Sequence, residues 1–209
     1  MIVLPRLYPI LDADCFPNAA GLITAAHLLA SAGVTLIQYR NKSGNAREML
    51  EQARELRQRS RAGVPVPHMR LIMNDRADLC LAAEFDGVHV GQEDLSPESV
   101  RRIIGPERWL GVSTHSPDQL READLTSADY LAIGPVFATS SKAKPDPVVG
   151  LEGVRRARAL TRKPLMAIGG ITRANAGAVI EAGADSVAVI SDLLRDPRKS
   201  AEEFFRILG

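Results

Sequence analysis

Eight short apolar runs recur along the chain, most of them breaking off into polar, glycine or proline residues at their C-terminal ends. They cover residues 7–12, 36–41, 70–76, 87–91, 109–114, 130–135, 164–170 and 186–191. In the third, Leu71-Ile72-Met73 stops abruptly in an amide, a carboxylate and a guanidinium, Asn74-Asp75-Arg76. A buried parallel strand surfacing at a functional rim reads this way. Between the runs the apolar spacing becomes helical. Residues 19–32 are apolar on most faces and stop at Gly33, where a left-handed cap is cheap. Asn45-Ala46-Arg47-Glu48 resembles a capping box, followed by Ala46, Met49, Leu50, Ala53 and Leu56 at helical spacing, with Gly63 beyond the end. A short helix is expected at 77–83. Ser96-Pro97 and Ser116-Pro117 each place a hydroxyl cap before a proline at the first helical position. Further helices are expected over 151–160, after a cap at Thr172 and up to Gly183, and over 199–208.

Strand and helix therefore alternate eight times, which implies a parallel sheet with right-handed crossovers, closing into a (β/α)8 TIM barrel. One domain over 1–209 is expected. An open doubly wound sheet is the alternative, but no GxGxxG turn follows the first strand. Three segments, Phe85-Asp86-Gly87, Ala128-Asp129-Tyr130 and Ala184-Asp185-Ser186, repeat an aspartate just before an apolar strand.

Charge narrows the partners. Twenty-six basic residues balance twenty-five acidic ones, so no overall field draws in nucleic acid or an anionic membrane, and anion selectivity has to be local. No apolar run approaches the roughly 20 residues that span a bilayer. Cys15 and Cys80 form no CxxC motif, and the N-terminus lacks a basic-then-apolar signal pattern, so a reducing cytoplasm is expected. The sequence leaves room for a homodimer without demanding one.

In a barrel the loops after the strands share one face, and their polar residues are Gln38, Arg40, Lys42, Asn74, Asp75, Asp94, Ser113, residues 139–142, Gly169, Gly170, Ile190 and Ser191. Gln38, Arg40 and Lys42 alternate, so they point the same way in an extended segment, and two adjacent cations call for an anion. Asp75 and Asp94, on neighbouring strand ends, can share a hard cation such as Mg²⁺ together with substrate phosphate oxygens. Gly169-Gly170 lets backbone amides approach a second phosphate at the loops after strands seven and eight. Each feature also has a plainer reading: a strand-end aspartate as a helix cap, Gly-Gly as a turn, a lone Arg or Lys as a solvated charge. Convergence on one rim is what favours chemistry. His27 reads as a core residue, His68 has no partner in view, and His89 within the fourth strand reads as a hydrogen-bonded structural group. His115 sits on the rim, where an acid or base could work.

At these motifs the chain resembles the thiamine-phosphate synthase family along nearly its whole length. Gln38-Tyr39-Arg40-Asn41-Lys42 resembles the family's Gln-x-Arg-x-Lys segment and Asn74-Asp75-Arg76 its Asn-Asp-Arg. The segment from Asp86-Gly87-Val88-His89 to Gln92-Glu93-Asp94 resembles its fourth-strand signature. Gly111-Val112-Ser113-Thr114-His115, Gly134-Pro135-Val136-Phe137, Gly169-Gly170-Ile171 and Val189-Ile190-Ser191 follow in order. The resemblance implies a transferase of thiamine biosynthesis that joins a pyrimidine-methyl diphosphate to a thiazole phosphate and releases pyrophosphate. It assigns Gln38, Tyr39, Arg40, Asn41, Lys42, Asn74, Ser113 and Lys142 to the pyrimidine diphosphate, with Arg40, Lys42, Ser113 and Lys142 catalytic. It assigns Asp75 and Asp94 to Mg²⁺, and Thr139, Ser140, Ser141, Gly169, Gly170, Ile190 and Ser191 to the thiazole phosphate. Two positions depart from the family's pattern: Ser141 stands where threonine is usual, and Asn41 where an acid is often found. The rivals are a related thiazole tautomerase, with His115 as acid or base, and a non-catalytic thiazole-phosphate-binding barrel.

Overall fold

The computed structural model describes residues 2–61, 69–139 and 146–209. Eight parallel strands, β1 (Leu7–Asp12), β2 (Leu36–Arg40), β3 (Arg70–Asn74), β4 (Gly87–Val90), β5 (Trp109–Thr114), β6 (Tyr130–Ile133), β7 (Leu165–Ile168) and β8 (Ser186–Val189), close into a barrel in sequence order. Pairing of Leu7 with Val187 and of Ile10 with Gln38 makes β1 the seam that joins β8 to β2. The (β/α)8 expectation holds, and several strands are one to three residues shorter than their apolar runs.

The helices are α1 (Ala19–Ser31), α2 (Ala46–Arg61), α3 (Ala77–Ala82), α4 (Pro97–Ile104), α5 (Pro117–Asp124), α6 (Gly150–Leu160), α7 (Ala176–Glu181), α8 (Ser191–Leu194) and α9 (Pro197–Leu208). Most expected starts hold. Ser96 and Ser116 accept from the N–H groups of Ser99 and Gln119, as serine caps before Pro97 and Pro117. Gly33 takes φ of 95° just past α1. The Gly63 stop expected after α2, like His68, lies outside the described residues. Thr172 does not cap α7. Asn175 stands at the N-cap position without a side-chain bond to the helix; its carboxamide instead braces the preceding turn, accepting from Thr172 N–H and donating to Gly170 carbonyl, and the helix begins at Ala176. Four-residue α8 was not foreseen, and α9 begins two residues early because Asp196 caps it through Lys199 N–H.

Strand alternation sorts the core into two layers. Tyr8, Ile10, Leu36, Ile72, Tyr130, Ala132, Met166 and Ala188 fill the barrel, while their sequence neighbours pack outwards on the helices. Phe204 of α9 is fully buried in the outer layer. Truncating such a ring to alanine costs about 3–5 kcal/mol.

At the N-terminal ends of the strands, the repeated aspartates build one device three times. The Oδ2 of Asp86 accepts from Leu71 N–H at 2.7 Å and from Arg57 at 2.6 Å. Asp129 takes Leu110 N–H and Arg101, both at 2.7 Å, and Asp185 takes Leu165 N–H and Arg158, both at 2.8 Å. Each aspartate also returns its own N–H to the same strand residue. The arginines come from α2, α4 and α6, so each clamp ties an even-numbered helix to the two strands that follow it in the chain. These carboxylates hold the floor together; none reaches the rim.

Candidate active site

The rim at the opposite end gathers the sequence-predicted polar residues, and the strand period decides which face inwards. Gln38 and Arg40 turn into the barrel mouth, whereas Tyr39 between them turns out. Its ring is buried in the helix layer against Phe85, and its hydroxyl donates to Gln52 Oε1 at 2.6 Å, with burial raising its pKa to about 12. A side-chain contact from Tyr39 to a ligand in the mouth is therefore ruled out by its direction. Asn41 is also buried. Its carbonyl oxygen accepts from Ser43 and Gly44 N–H, and its amide donates to Gln52, so it shapes the loop after β2.

Gln38 donates through Nε2 to Asn74 Oδ1 at 2.8 Å. Its Oε1, buried, has no hydrogen-bond partner among the described residues. Such an acceptor is uncommon enough to demand a partner. Just past β3, Asp75 adopts φ of 61°, a left-handed conformation that a residue with a Cβ takes at a cost of about 1–3 kcal/mol. The N–H of Asp75 is held by His89 carbonyl at 2.8 Å, and its carboxylate meets both Lys42 and Asp94. Asp94 is itself fixed by Gly91 N–H at 2.7 Å. Burial raises the Asp75 pKa; the Lys42 ion pair opposes the shift and the neighbouring Asp94 adds to it. Two carboxyl groups so close favour a cation between them.

The expected cation pair is present, with one modification: each cation already has a carboxylate. Arg40 pairs with Asp12 at the end of β1, and Lys42 with Asp75. Asp12 is nearly inaccessible and its pKa is raised, by burial first, against the pull of Arg40. The rim-residue reading missed Asp12, although it ends a strand as the other rim residues do. Ser113 at the end of β5 meets His89 Nε2 at 2.8 Å, and its carbonyl accepts from Gln92 at 2.6 Å. The arginine of Asn74-Asp75-Arg76 points elsewhere, into a bidentate pair with exposed Asp78.

The loops after β6, β7 and β8 form the second half of the rim. Gly169 and Gly170 have φ of 101° and 62°, and a Cβ on Gly170 would stand 2.5 Å from Ala138 carbonyl. Close packing on the β6 loop therefore requires glycine here, whatever else the pair does. Thr139 is half-buried at the start of that loop. Ser140, Ser141 and Lys142 lie outside the described residues. Ile190 precedes α8 and Ser191 opens it. Arg173 locks these loops, bonding Asp192 of α8 and Glu203 of α9, and lowers the Asp192 pKa against the effect of burial. His115 Nδ1 lies 2.6 Å from Gly134 carbonyl, and its Nε2 is 3.5 Å from Asp146 at the far end of the β6 loop.

No group of three or more His, Cys, Asp or Glu is arranged for a metal among the described residues. Asp75 and Asp94 are a two-carboxylate set, which suits an ion such as Mg²⁺ that keeps waters and borrows phosphate oxygens. The Lys42 ammonium against Asp75 shows that this carboxylate pair favours a neighbouring cation.

Residues 7–193 match the family model described as thiamine monophosphate synthase. The chain belongs to the thiamine-phosphate synthase family. It is 60% identical over 208 residues to thiamine-phosphate synthase of Koribacter versatilis, covering 98% of this chain and 96% of that one. The Chloroflexus aurantiacus protein of the same name is 44% identical over 189 residues, covering 89% and 83%. Among solved structures, thiamine phosphate pyrophosphorylase from Pyrococcus furiosus superposes with a TM-score of 0.84 at 35% identity, covering 97% and 95%. Thiamine-phosphate synthases are transferases, and this member carries the family's barrel with a polar rim. No helix among the described residues is long and apolar enough to cross a membrane.

Proposed function

We propose that the rim joins a pyrimidine-methyl diphosphate to a thiazole phosphate, releasing pyrophosphate and forming thiamine phosphate. One observation carries this reading: paired Asp75 and Asp94 share the rim with two cations, Lys42 in contact with Asp75 and Arg40 held by Asp12 at the end of β1. Asp75 and Asp94 would hold Mg²⁺, which when bound supplies positive charge to the leaving diphosphate. Arg40, Lys42, Ser113 and Lys142 would bind that diphosphate, Arg40 and Lys42 exchanging their present carboxylate partners for phosphate oxygens. Asn74 and Gln38 would hold the pyrimidine, the orphan Gln38 Oε1 offering an acceptor to its amino group. Thr139, Ser140, Ser141, Gly169, Gly170, Ile190 and Ser191 would hold the thiazole phosphate.

An aminopyrimidine delocalises the cation left when its methyl carbon–oxygen bond breaks, so stabilising departing pyrophosphate is the protein's main task. The thiazole nitrogen then attacks that carbon, and orienting it is the remaining work. No protein nucleophile is needed; trapping a covalent pyrimidine adduct on the protein would count against this dissociative route. Unpaired Cys15 and Cys80 support a cytoplasmic setting.

The deciding experiment measures pyrophosphate release from both substrates, with and without Mg²⁺, for wild type and Asp94→Ala. Metal-dependent release with stoichiometric thiamine phosphate, lost in the variant, is expected. Folded wild-type protein that releases none, yet tautomerises the thiazole phosphate through His115, would overturn the reading.

A further inference from the structure

A hydrogen-bonded file of side chains runs up the inside of the barrel from the floor to the rim. Tyr8 hydroxyl meets Tyr130 hydroxyl at 2.8 Å, Tyr130 hydroxyl meets His89 Nδ1 at 3.1 Å, and His89 Nε2 meets Ser113 Oγ at 2.8 Å. Both tyrosines are fully buried and His89 nearly so, whereas Ser113 is half-buried at the mouth. Gly111 makes room for the file: a Cβ there would stand 2.2 Å from Tyr130 Cζ and 2.4 Å from His89 Nδ1.

The file can carry its protons in two directions. Running upward, Tyr8 donates to Tyr130, Tyr130 donates to His89 Nδ1, and the ring proton on Nε2 donates to Ser113 Oγ. The Ser113 proton is then left for the mouth. Running downward, Ser113 donates to Nε2, Nδ1–H to Tyr130 and Tyr130 to Tyr8. The Tyr8 proton then ends in the apolar inner layer of the barrel, because Tyr130 is its only hydrogen-bond partner among the described residues. A buried donor without an acceptor is a rare defect in a folded protein, so the upward direction is preferred. The His89 ring is buried with one hydroxyl at each nitrogen and no carboxylate on either, so it stands as a neutral imidazole with a single N–H to place between them.

We propose that His89 is a positioning residue for the alkyl transfer: backed by Tyr130 and Tyr8, it holds the Ser113 hydroxyl with its proton facing the diphosphate. The inference rests on the site reading above, in which Ser113 touches that diphosphate. A hydroxyl already aimed at the developing charge needs no reorientation as the carbon–oxygen bond breaks. His89 itself touches no substrate.

Two measurements test it. Nitrogen NMR of wild-type protein reads the His89 tautomer directly: protonated Nε2 with bare Nδ1 is expected, and protonated Nδ1 would overturn the proposal. Steady-state kinetics then compare His89→Leu, His89→Gln, Ser113→Ala and the Leu/Ala double variant. His89→Leu should lower kcat about tenfold with the thiazole phosphate KM unchanged. His89→Gln, whose amide can donate where Nε2 does, should recover most of that loss. In the Ser113→Ala background His89→Leu should cost nothing further. An equal loss with and without Ser113, or no rescue by glutamine in a protein of wild-type thermal stability, would sink the proposal. If folded wild-type protein shows no turnover, the site reading fails, and the tautomer still decides the direction of the file.

Discussion

At the floor of the barrel, each strand-leading aspartate meets a guanidinium and two backbone partners, and the charges are matched one to one. At the rim the same residue types are arranged against each other. Asp75 is strained and pressed on Asp94, Gln38 keeps a buried oxygen without a partner among the described residues, and Asp12 is buried with a raised pKa. The rim carboxylates are the more deeply buried, with side-chain exposures of 6% for Asp12 and 17% for Asp75 against 30% to 48% at the floor, and Asp75 sets a second carboxylate beside its lysine. Floor carboxylates are therefore stabilising groups, while rim carboxylates hold back stability that a bound ligand can return.

Exchanging a rim group for one without charge or strain should separate activity from stability most sharply. Asp75→Gly should lower kcat/KM about a thousandfold in the pyrophosphate assay. The same variant should gain about 1 kcal/mol in urea unfolding, because glycine accepts positive φ and the charge repulsion with Asp94 is gone. A loss of stability instead would erase the contrast.

Acid should act next, through the histidine between the two ends. Burial lowers the His89 pKa to about 4 in the folded protein, against the ordinary histidine value of 6.5 in the unfolded chain. The unfolded chain takes up that proton first. Stability from this group is thus complete above about pH 6.5 and falls by about 3 kcal/mol as the pH drops to 4. His89→Gln should flatten that part of the urea midpoint against pH.

On the floor, Asp129→Ala leaves Leu110 N–H without its acceptor and takes the carboxylate from Arg101, whose guanidinium keeps only the carbonyls of Gly105, Arg108 and Ser127. About 2 kcal/mol should be lost in chemical unfolding, with kcat per folded molecule unchanged. Smallest of all, Glu202→Ala on α9 removes an exposed pair with Arg198 and should shift stability by less than about 0.5 kcal/mol. A larger effect there than at Asp129 would mean that neither burial nor partnering sets the scale.

Much of this was legible in the sequence. Apolar runs ending in polar residues marked all eight strands, because a parallel strand buried on both faces changes character abruptly where it meets water. Serine-proline pairs marked two helix starts correctly. The outward turn of Tyr39 was available from the same alternation that brings Gln38 and Arg40 inwards, but a motif read as a continuous string hid it. The aspartates before β4, β6 and β8 were visible as an echo, yet their arginines lie 27 to 29 residues away on helices, a pairing that spacing alone does not reveal. Tyr8 and Tyr130, 122 residues apart, could be joined only once the barrel had closed.

Gly111 shows how much can depend on an atom that is missing. The position has no side chain to donate, accept or carry charge, yet a single methyl there would collide with the Tyr130 ring and His89 at once. Searches for functional positions look for reactive groups and pass over such a residue. In this barrel a hollow one carbon wide decides whether the floor and the rim can communicate.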